Sequence, residues 1–193
     1  MREGAAEILR AAEALADRPV VIAITGPVGS GKSTLASTIG AALDACIVPT
    51  DAYLPDYAHV DELERDLPEH ADLDLLARNI ADLASIRRAS IPIWSFHTHR
   101  REGLREVVLT GRSIVVEGIH ALDERLHPHL DLRVLVDAPA DVRWNRWEHI
   151  ETSGQRGWGV DLARRHFERV AEPTFAGRLE RIRQAADIIV WNA

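Results

Sequence analysis

The sequence predicts an α/β fold in three layers, with a five-stranded parallel sheet covered by helices on both faces. Three observations predict it. Five short apolar runs, at 19–25, 45–49, 112–118, 131–137 and 187–191, have strand length and are rich in β-branched residues. Stretches of helical periodicity separate them, the alternation that builds a parallel sheet buried on both sides. Between the first run and the helix after it lies Gly26-Pro27-Val28-Gly29-Ser30-Gly31-Lys32-Ser33, which fits the phosphate-binding pattern G-x-x-x-x-G-K-[ST].

The chain opens with an expected amphipathic helix over 2–17, carrying Ile8, Leu9, Ala12 and Leu15 on one side and stopped by Pro19. Its expected task is to cover one edge of the sheet. After the first strand, the glycines let the backbone turn and approach a ligand with no Cβ in the way. The loop amides and the unpaired amides of the next helical turn, through Thr34, then point at one anion. Lys32 brings a positive charge to the β- and γ-phosphates, and the Ser33 hydroxyl is placed to ligate Mg²⁺. Of the 23 basic residues only Lys32 is a lysine, and it falls in this slot. The helix that follows sets residues 35, 39, 42 and 43 on one face.

The second strand, 45–49, runs into Thr50-Asp51-Ala52-Tyr53. Residues 55–70 are polar and acidic and hold Pro55 and Pro68, the mark of a long functional or mobile loop. A helix over 71–86 presents Leu73, Leu76, Ile80 and Leu83. Residues 91–96 and 106–109 are expected to form a small β-ribbon. Strands at 112–118 and 131–137 lead to a helix over 139–152, a glycine-bearing segment at 153–159, helices over 160–170 and 174–186, and a last strand.

A chain of 193 residues, 46% apolar and 27% charged, is sized for one domain with a real core, and no internal repeat, linker or low-complexity tract divides it. A net charge of −7 argues against a nucleic-acid partner. The single cysteine, Cys46, cannot form an internal disulfide. No apolar run reaches membrane-span length and no apolar signal core opens the chain, so a cytoplasmic protein is expected. Homo-oligomerisation is left open.

In parallel sheets ligands bind at the carboxyl ends of the strands. Asp51 follows strand two there, placed to take a proton from an attacking hydroxyl, although a capping or turn aspartate would look the same. Glu117 closes strand three, the setting of an acid that holds Mg²⁺ or its water, or of a partly buried acid bonded to loop amides. Arg143, Arg146 and Arg156 flank the glycine-bearing segment, which would close over triphosphate as a lid spanning about 143–159 and neutralise developing charge. His97 and His99 alternate, and His127 and His129 bracket a proline; neither pair has a third zinc ligand nearby, and His99 reads better as a substrate contact.

With these residues together, the chain resembles the uridine kinase branch of the P-loop small-molecule kinases, which includes phosphoribulokinase and bacterial pantothenate kinase. The likeness runs in order from about residue 20 to 191. Thr50-Asp51-Ala52-Tyr53 resembles Q-D-S-F-Y, whose aspartate acts as base. Asp66 to Asp72 resembles D-x-P-x-x-x-D, whose first aspartate meets the ribose. Residues 92–101 resemble P-x-Y-D-F-x-x-H-x-R, which carries acceptor roles over to Trp94, His99 and Arg101. Val116-Glu117-Gly118-Ile119 resembles F-E-G-I, Arg156-Gly157 falls at the lid's R-G-R, and 172–175 and 186–189 resemble K-P-x-F and A-D-x-I-I.

The departures fall on the acceptor side. Trp94 and Ser95 stand for tyrosine and aspartate, Trp147 and Ile150 for two lid arginines, Trp158 for the second arginine of R-G-R, and His166 for a glutamine. Loss of guanidinium groups that fork onto phosphate is not conservative. The resemblance implies an ATP- and Mg²⁺-dependent kinase for a hydroxyl of a small molecule, foremost a nucleoside, in a three-layer P-loop fold with a ribbon and a helical lid. Pantothenate, a sugar or a sugar phosphate are alternative acceptors, and a regulatory ATPase is the alternative outside the enzyme class.

Overall fold

The computed structural model describes residues 1–15 and 18–193. Helix α1 is Arg2–Glu13, and the end of the expected first helix, Ala16 and Asp17, lies outside the described residues. The other elements are β1 (Val20–Thr25), α2 (Lys32–Leu43), β2 (Cys46–Pro49), α3 (Leu73–Ser85), β3 (Arg88–Ser95), β4 (Arg100–Val108), β5 (Ser113–Glu117), β6 (Leu132–Asp137), α4 (Ala140–Thr152), α5 (Val160–His166), α6 (Glu172–Ala185) and β7 (Ile188–Trp191).

Five strands form one parallel sheet in the order β2-β5-β1-β6-β7. Successive side chains of a strand point to opposite faces, and β1 uses both. Val21 and Ala23 pack with Leu73, Leu76 and Ile80 of α3 and with Phe175 and Ile182 of α6. Val20, Ile22 and Ile24 pack with Ile8 of α1 and with Leu35 and Ile39 of α2. The expected α1 face needs one change: Ile8 and Ala12 are buried, but Leu15 is exposed. On α2 the sheet meets Leu35, Ala36, Ile39 and Gly40, and Ala42 faces outward, because the buried stripe is centred one residue earlier than the apolar spacing implies.

Strands β3 and β4 pair antiparallel as a separate ribbon, longer than the expected one. Asn79 of α3 anchors it, its side-chain amide donating to the Tyr53 hydroxyl at 2.9 Å and to the Ser90 carbonyl at 3.0 Å. The two expected helices after residue 160 are continuous in direction. A π-helical segment, Phe167–Ala171, joins α5 to α6, and Pro173, which has no N–H to give to the turn before it, follows directly after that segment.

A third apolar cluster lies outside the sheet. Trp144 and Trp147 of α4 pack with Ala163, Phe167 and Ala171, and Trp158 and Val28 lie against them. This cluster joins α4 and the 153–159 segment to the loop after β1. The alignment of strand ends fixes where that loop sits. Glu117 is in register with Ile24 of β1 and Pro49 of β2, so the loop after β1, the turn after β2 and Glu117 share one edge.

Candidate active site

That shared edge carries the polar groups. The backbones there approach so closely that a Cβ on Gly118, whose φ is +145°, would stand 1.9 Å from Thr50 Oγ1. Lys32 begins α2, and Ser33 beside it donates through Oγ to Glu117 Oε1 at 3.0 Å. Asp51 lies in the single helical turn after β2, Thr50–Tyr53. Two oxygen donors side by side at a phosphate loop suit a hard cation that keeps most of its shell as water and phosphate oxygens.

Charge is balanced by proximity. Burial lowers the Lys32 ammonium, while Glu117 and Asp51 act the other way. Burial raises the Asp51 carboxyl above the usual range, opposed by Arg156 and Lys32. Burial also raises Glu117, with Lys32 opposing and Asp51 adding to it. Two cations and two carboxylates therefore act on one another through charge at this edge of the sheet.

The glycine loop is braced from outside by α4. A Cβ on Gly29, where φ is +75°, would meet the Arg143 carbonyl oxygen at 2.3 Å, so only glycine lets the helix lie against the loop. Arg146 donates to the Gly29 carbonyl at 3.3 Å, the Ser30 carbonyl at 3.5 Å and the Asn192 carbonyl at 3.1 Å. Asn192 in turn donates to the Ser30 carbonyl at 2.7 Å. Lys32 Nζ reaches the Pro27 carbonyl at 3.5 Å. Val28 lines the cleft, and Thr34 is exposed on the first turn of α2.

Two of the three expected charge-stabilising arginines are placed differently from the expectation. Arg143 is buried, donates from Nε to the Ala138 carbonyl at 2.8 Å, and forks onto both carboxylate oxygens of Glu172. Arg146 is occupied by loop carbonyls. Arg156 alone of the three lines the cleft, its guanidinium 4.5 Å from the Phe96 ring centre and 6.0 Å from that of Trp147.

The cleft holds Lys32, Asp51, Asp66, Trp94, Arg156 and His166, around a free volume of about 70 Å³. Asp66 faces His166 Nε2 at 3.4 Å. Burial acts to raise its carboxyl, but the bond to His166, with the charges of His166 and Arg178, outweighs burial and holds it below the usual range. Trp94 donates from Nε1 to the Pro55 carbonyl at 3.1 Å and meets Tyr57 edge-on. His99 is stacked on Tyr57 with ring centres 5.5 Å apart and accepts from Trp158 Nε1, so it backs the aromatic wall. Arg101 is outside the cleft. It donates to the Tyr53 and Leu54 carbonyls at 2.8 and 3.2 Å and pairs with Asp72 at 3.3 Å, which fixes the turn that carries Asp51.

The sequence reading missed Glu151, Phe96, Tyr57 and the inward-facing side of Trp147. Glu151 is buried and accepts from Trp147 Nε1 at 3.0 Å and from the Trp158 and Gly159 amides at 3.2 Å each. Its signal was present: an acid one turn after Trp147, directly before a glycine segment whose amides need an acceptor. Tyr57 had no signal beyond being an aromatic in a polar stretch.

Residues 21–192 match the phosphoribulokinase / uridine kinase family. The uridine kinase of Clostridium tetani (strain Massachusetts / E88) is 32% identical over 185 residues, covering 91% of this chain and 88% of that protein. That of Haemophilus influenzae (strain PittGG) is 30% identical over 184 residues, covering 89% and 86%. In fold, the chain is similar to a possible uridine kinase from Bacillus stearothermophilus, with a TM-score of 0.72 at 18% identity over 98% of each chain. Phosphoribulokinase from Rhodobacter spheroides superposes with a TM-score of 0.61 at 16% identity, over 90% of this chain and 70% of that one. A match over nearly the whole chain means that this protein belongs to the phosphoribulokinase / uridine kinase family and is an ATP-dependent kinase of small molecules.

Proposed function

We propose that the protein transfers the γ-phosphoryl group of ATP to a hydroxyl of a nucleoside, with uridine the first candidate. The observation that carries this is the meeting of Lys32, Asp51, Arg156 and Asp66 in one cleft at the carboxyl edge of the sheet. Asp51 takes the proton of the attacking hydroxyl; its raised pKa makes it a better base once ionised. The hydroxyl oxygen bonds to the γ-phosphorus as the bond to the β-γ bridging oxygen breaks, and ADP leaves. Lys32 and Arg156 face the charge that spreads over the transferring group. Asp66 holds a ribose hydroxyl, and Trp94 offers a face to a planar base.

Ser33 and Glu117 are the pair that would hold Mg²⁺, which would supply positive charge to the triphosphate. Arg143 and Arg146 brace the phosphate loop and do not meet the phosphates. We assign one kinase domain over 1–193, because strands from both ends of the chain share the sheet. Among the described residues no helix is long and apolar enough to cross a membrane, and we place the enzyme in the cytoplasm. Its net charge of −7 disfavours a nucleic-acid partner.

A free volume of about 70 Å³ is well below the roughly 300 Å³ of ordinary ligand pockets, so the 153–159 segment must lift for a nucleoside to enter. The replacement of lid arginines by Trp147 and Trp158 favours, as the second reading, an acceptor richer in apolar surface than uridine. Mg-ATP-dependent ADP release across nucleosides, pantothenate, nicotinamide riboside and simple sugars tests this, with Lys32→Ala as the blank. Uridine or cytidine stimulation supports the nucleoside reading. Stimulation by another compound alone replaces the acceptor, and a flat panel with ATP still bound overturns the proposed transfer.

A further inference from the structure

A larger cavity of about 620 Å³ lies between Leu67–Glu69, the 119–127 loop and α6. Its size is that of an ordinary small-molecule site. Leu67, Leu122 and Ile182 give it an apolar floor, and Arg125, Arg178 and Arg181 stand around it.

These arginines differ in what they already hold. Arg125 is committed, donating from Nε to Asp123 at 2.8 Å and from Nη2 to the Pro68 carbonyl at 2.9 Å. Arg178 is not. Among the described residues its one hydrogen bond is Nη1 to His120 Nδ1 at 3.4 Å, while its Nε and Nη2 are buried without a hydrogen-bond partner, and Asp123, Asp66 and Glu69 act on it through charge alone. His120 is fully buried, and burial, followed by Arg178, pushes its imidazole down to about 3, so it faces Arg178 as a neutral ring. Its Nε2 also has no partner. Buried guanidinium donors left unpaired are costly, and Arg offers them as a planar fork matched to a carboxylate or phosphate. Arg181, one turn further along α6 on the same face, is exposed and adds a second positive charge. Of the acids at the cavity, Asp123 is taken by Arg125, and Glu69 and Glu124 are exposed.

We propose that this cavity is a second binding site, for a small molecule with an apolar body ending in a carboxylate or phosphate, gripped by Arg178 and Arg181. A consequence follows for the acceptor. Arg178 also lines a narrow space that it shares with Asp66 and Ile119, so it stands between the two cavities. An anion that engages Arg178 withdraws a cation from Asp66 and weakens acceptor binding. This coupling rests on the reading of Asp66 as an acceptor contact; the binding site itself does not.

The test uses the full chain with Mg-ADP saturating the phosphate loop, titrated calorimetrically with phenyl phosphate and with benzoate. Two variants control it. Arg178→Gln removes the fork. Gly177→Leu fills the cavity from α6, where an added Cβ meets nothing within 4 Å, and leucine is the better helix former. A single site in the wild type that weakens about tenfold or more in both variants, at unchanged melting temperature, is the expected result. The tighter of the two probes tells phosphate from carboxylate. No binding of either probe up to about 10 mM, or equal binding by wild type and variants, overturns the site. Where the probe binds, it should raise the acceptor KM about fivefold in the wild type and leave Gly177→Leu unmoved. An unmoved KM in the wild type overturns the coupling and leaves the site standing.

Discussion

Replacing Glu151 with glutamine keeps the side chain's shape and reverses the hydrogen-bonding sense of one of its two end atoms. In the native chain both atoms accept: Oε1 from Trp147 Nε1, and Oε2 from the Trp158 and Gly159 amides. A glutamine must turn its NH₂ either toward the indole donor or toward the two amides. Either way at least one donor loses its acceptor, and the remaining bonds lose their charge assistance. The expected cost is about 3 kcal/mol. For a chain of this size that lowers the melting temperature by roughly 6–12 °C. Because Glu151 ties the 153–159 segment to α4, the acceptor KM should rise about tenfold as the lid loosens. Thermal unfolding followed by tryptophan emission, with steady-state kinetics on the same preparation, measures both. A melting temperature within about 1 °C of wild type together with an unchanged KM would refute the view of Glu151 as the tie that holds the segment down.

Asp51→Asn should lower kcat by about 10²–10⁴-fold with ATP affinity retained, as read by turnover and by nucleotide titration; near-normal kcat would remove Asp51 as the base. The same change should stabilise the protein at neutral pH. The folded Asp51 carboxyl is raised, so the native state binds the proton more tightly, and stability falls as pH climbs from the ordinary aspartate value of 3.8 through the folded one. Melting curves should separate the variant from wild type above that window and merge below it. Asp66 carries the opposite sign: its folded pKa is lowered, so the stability it contributes is present above the ordinary value and is lost as pH falls through the folded one. The lead of wild type over Asp66→Asn in melting temperature should therefore shrink on acidification; a constant lead would contradict that sign. Arg146→Ala should raise the KM for ATP about tenfold while sparing the acceptor KM, since it frees the Gly29 and Ser30 carbonyls.

The strands and the phosphate loop were legible because their signals are local. Apolar β-branched runs such as Val20–Thr25 have no other way to bury both faces, and the glycine spacing carries its own geometry. The positions of Asp51, in the turn after β2, and of Glu117, at the end of β5, were legible for the same reason. The roles of the arginines were not. Arg143 and Arg156 are alike in sequence, and what separates them is Glu172, which lies 29 positions beyond Arg143 and reaches it only in the fold. The cavity beside Arg178 left no trace in the sequence either, since it is made of three segments that meet only when α6 docks.

The π-helical segment Phe167–Ala171 has a geometric consequence of its own. Each residue of an α-helix turns by about 100°, so the extra residue of a π turn rotates everything before it by that angle relative to everything after it. Phe175 and Ile182 therefore face the sheet while His166, on the far side of the offset, faces Asp66. One rod carries two headings. Removing a single exposed residue there, such as Arg169, would take out the offset, leave the sheet-facing half in place and swing His166 out of the cleft.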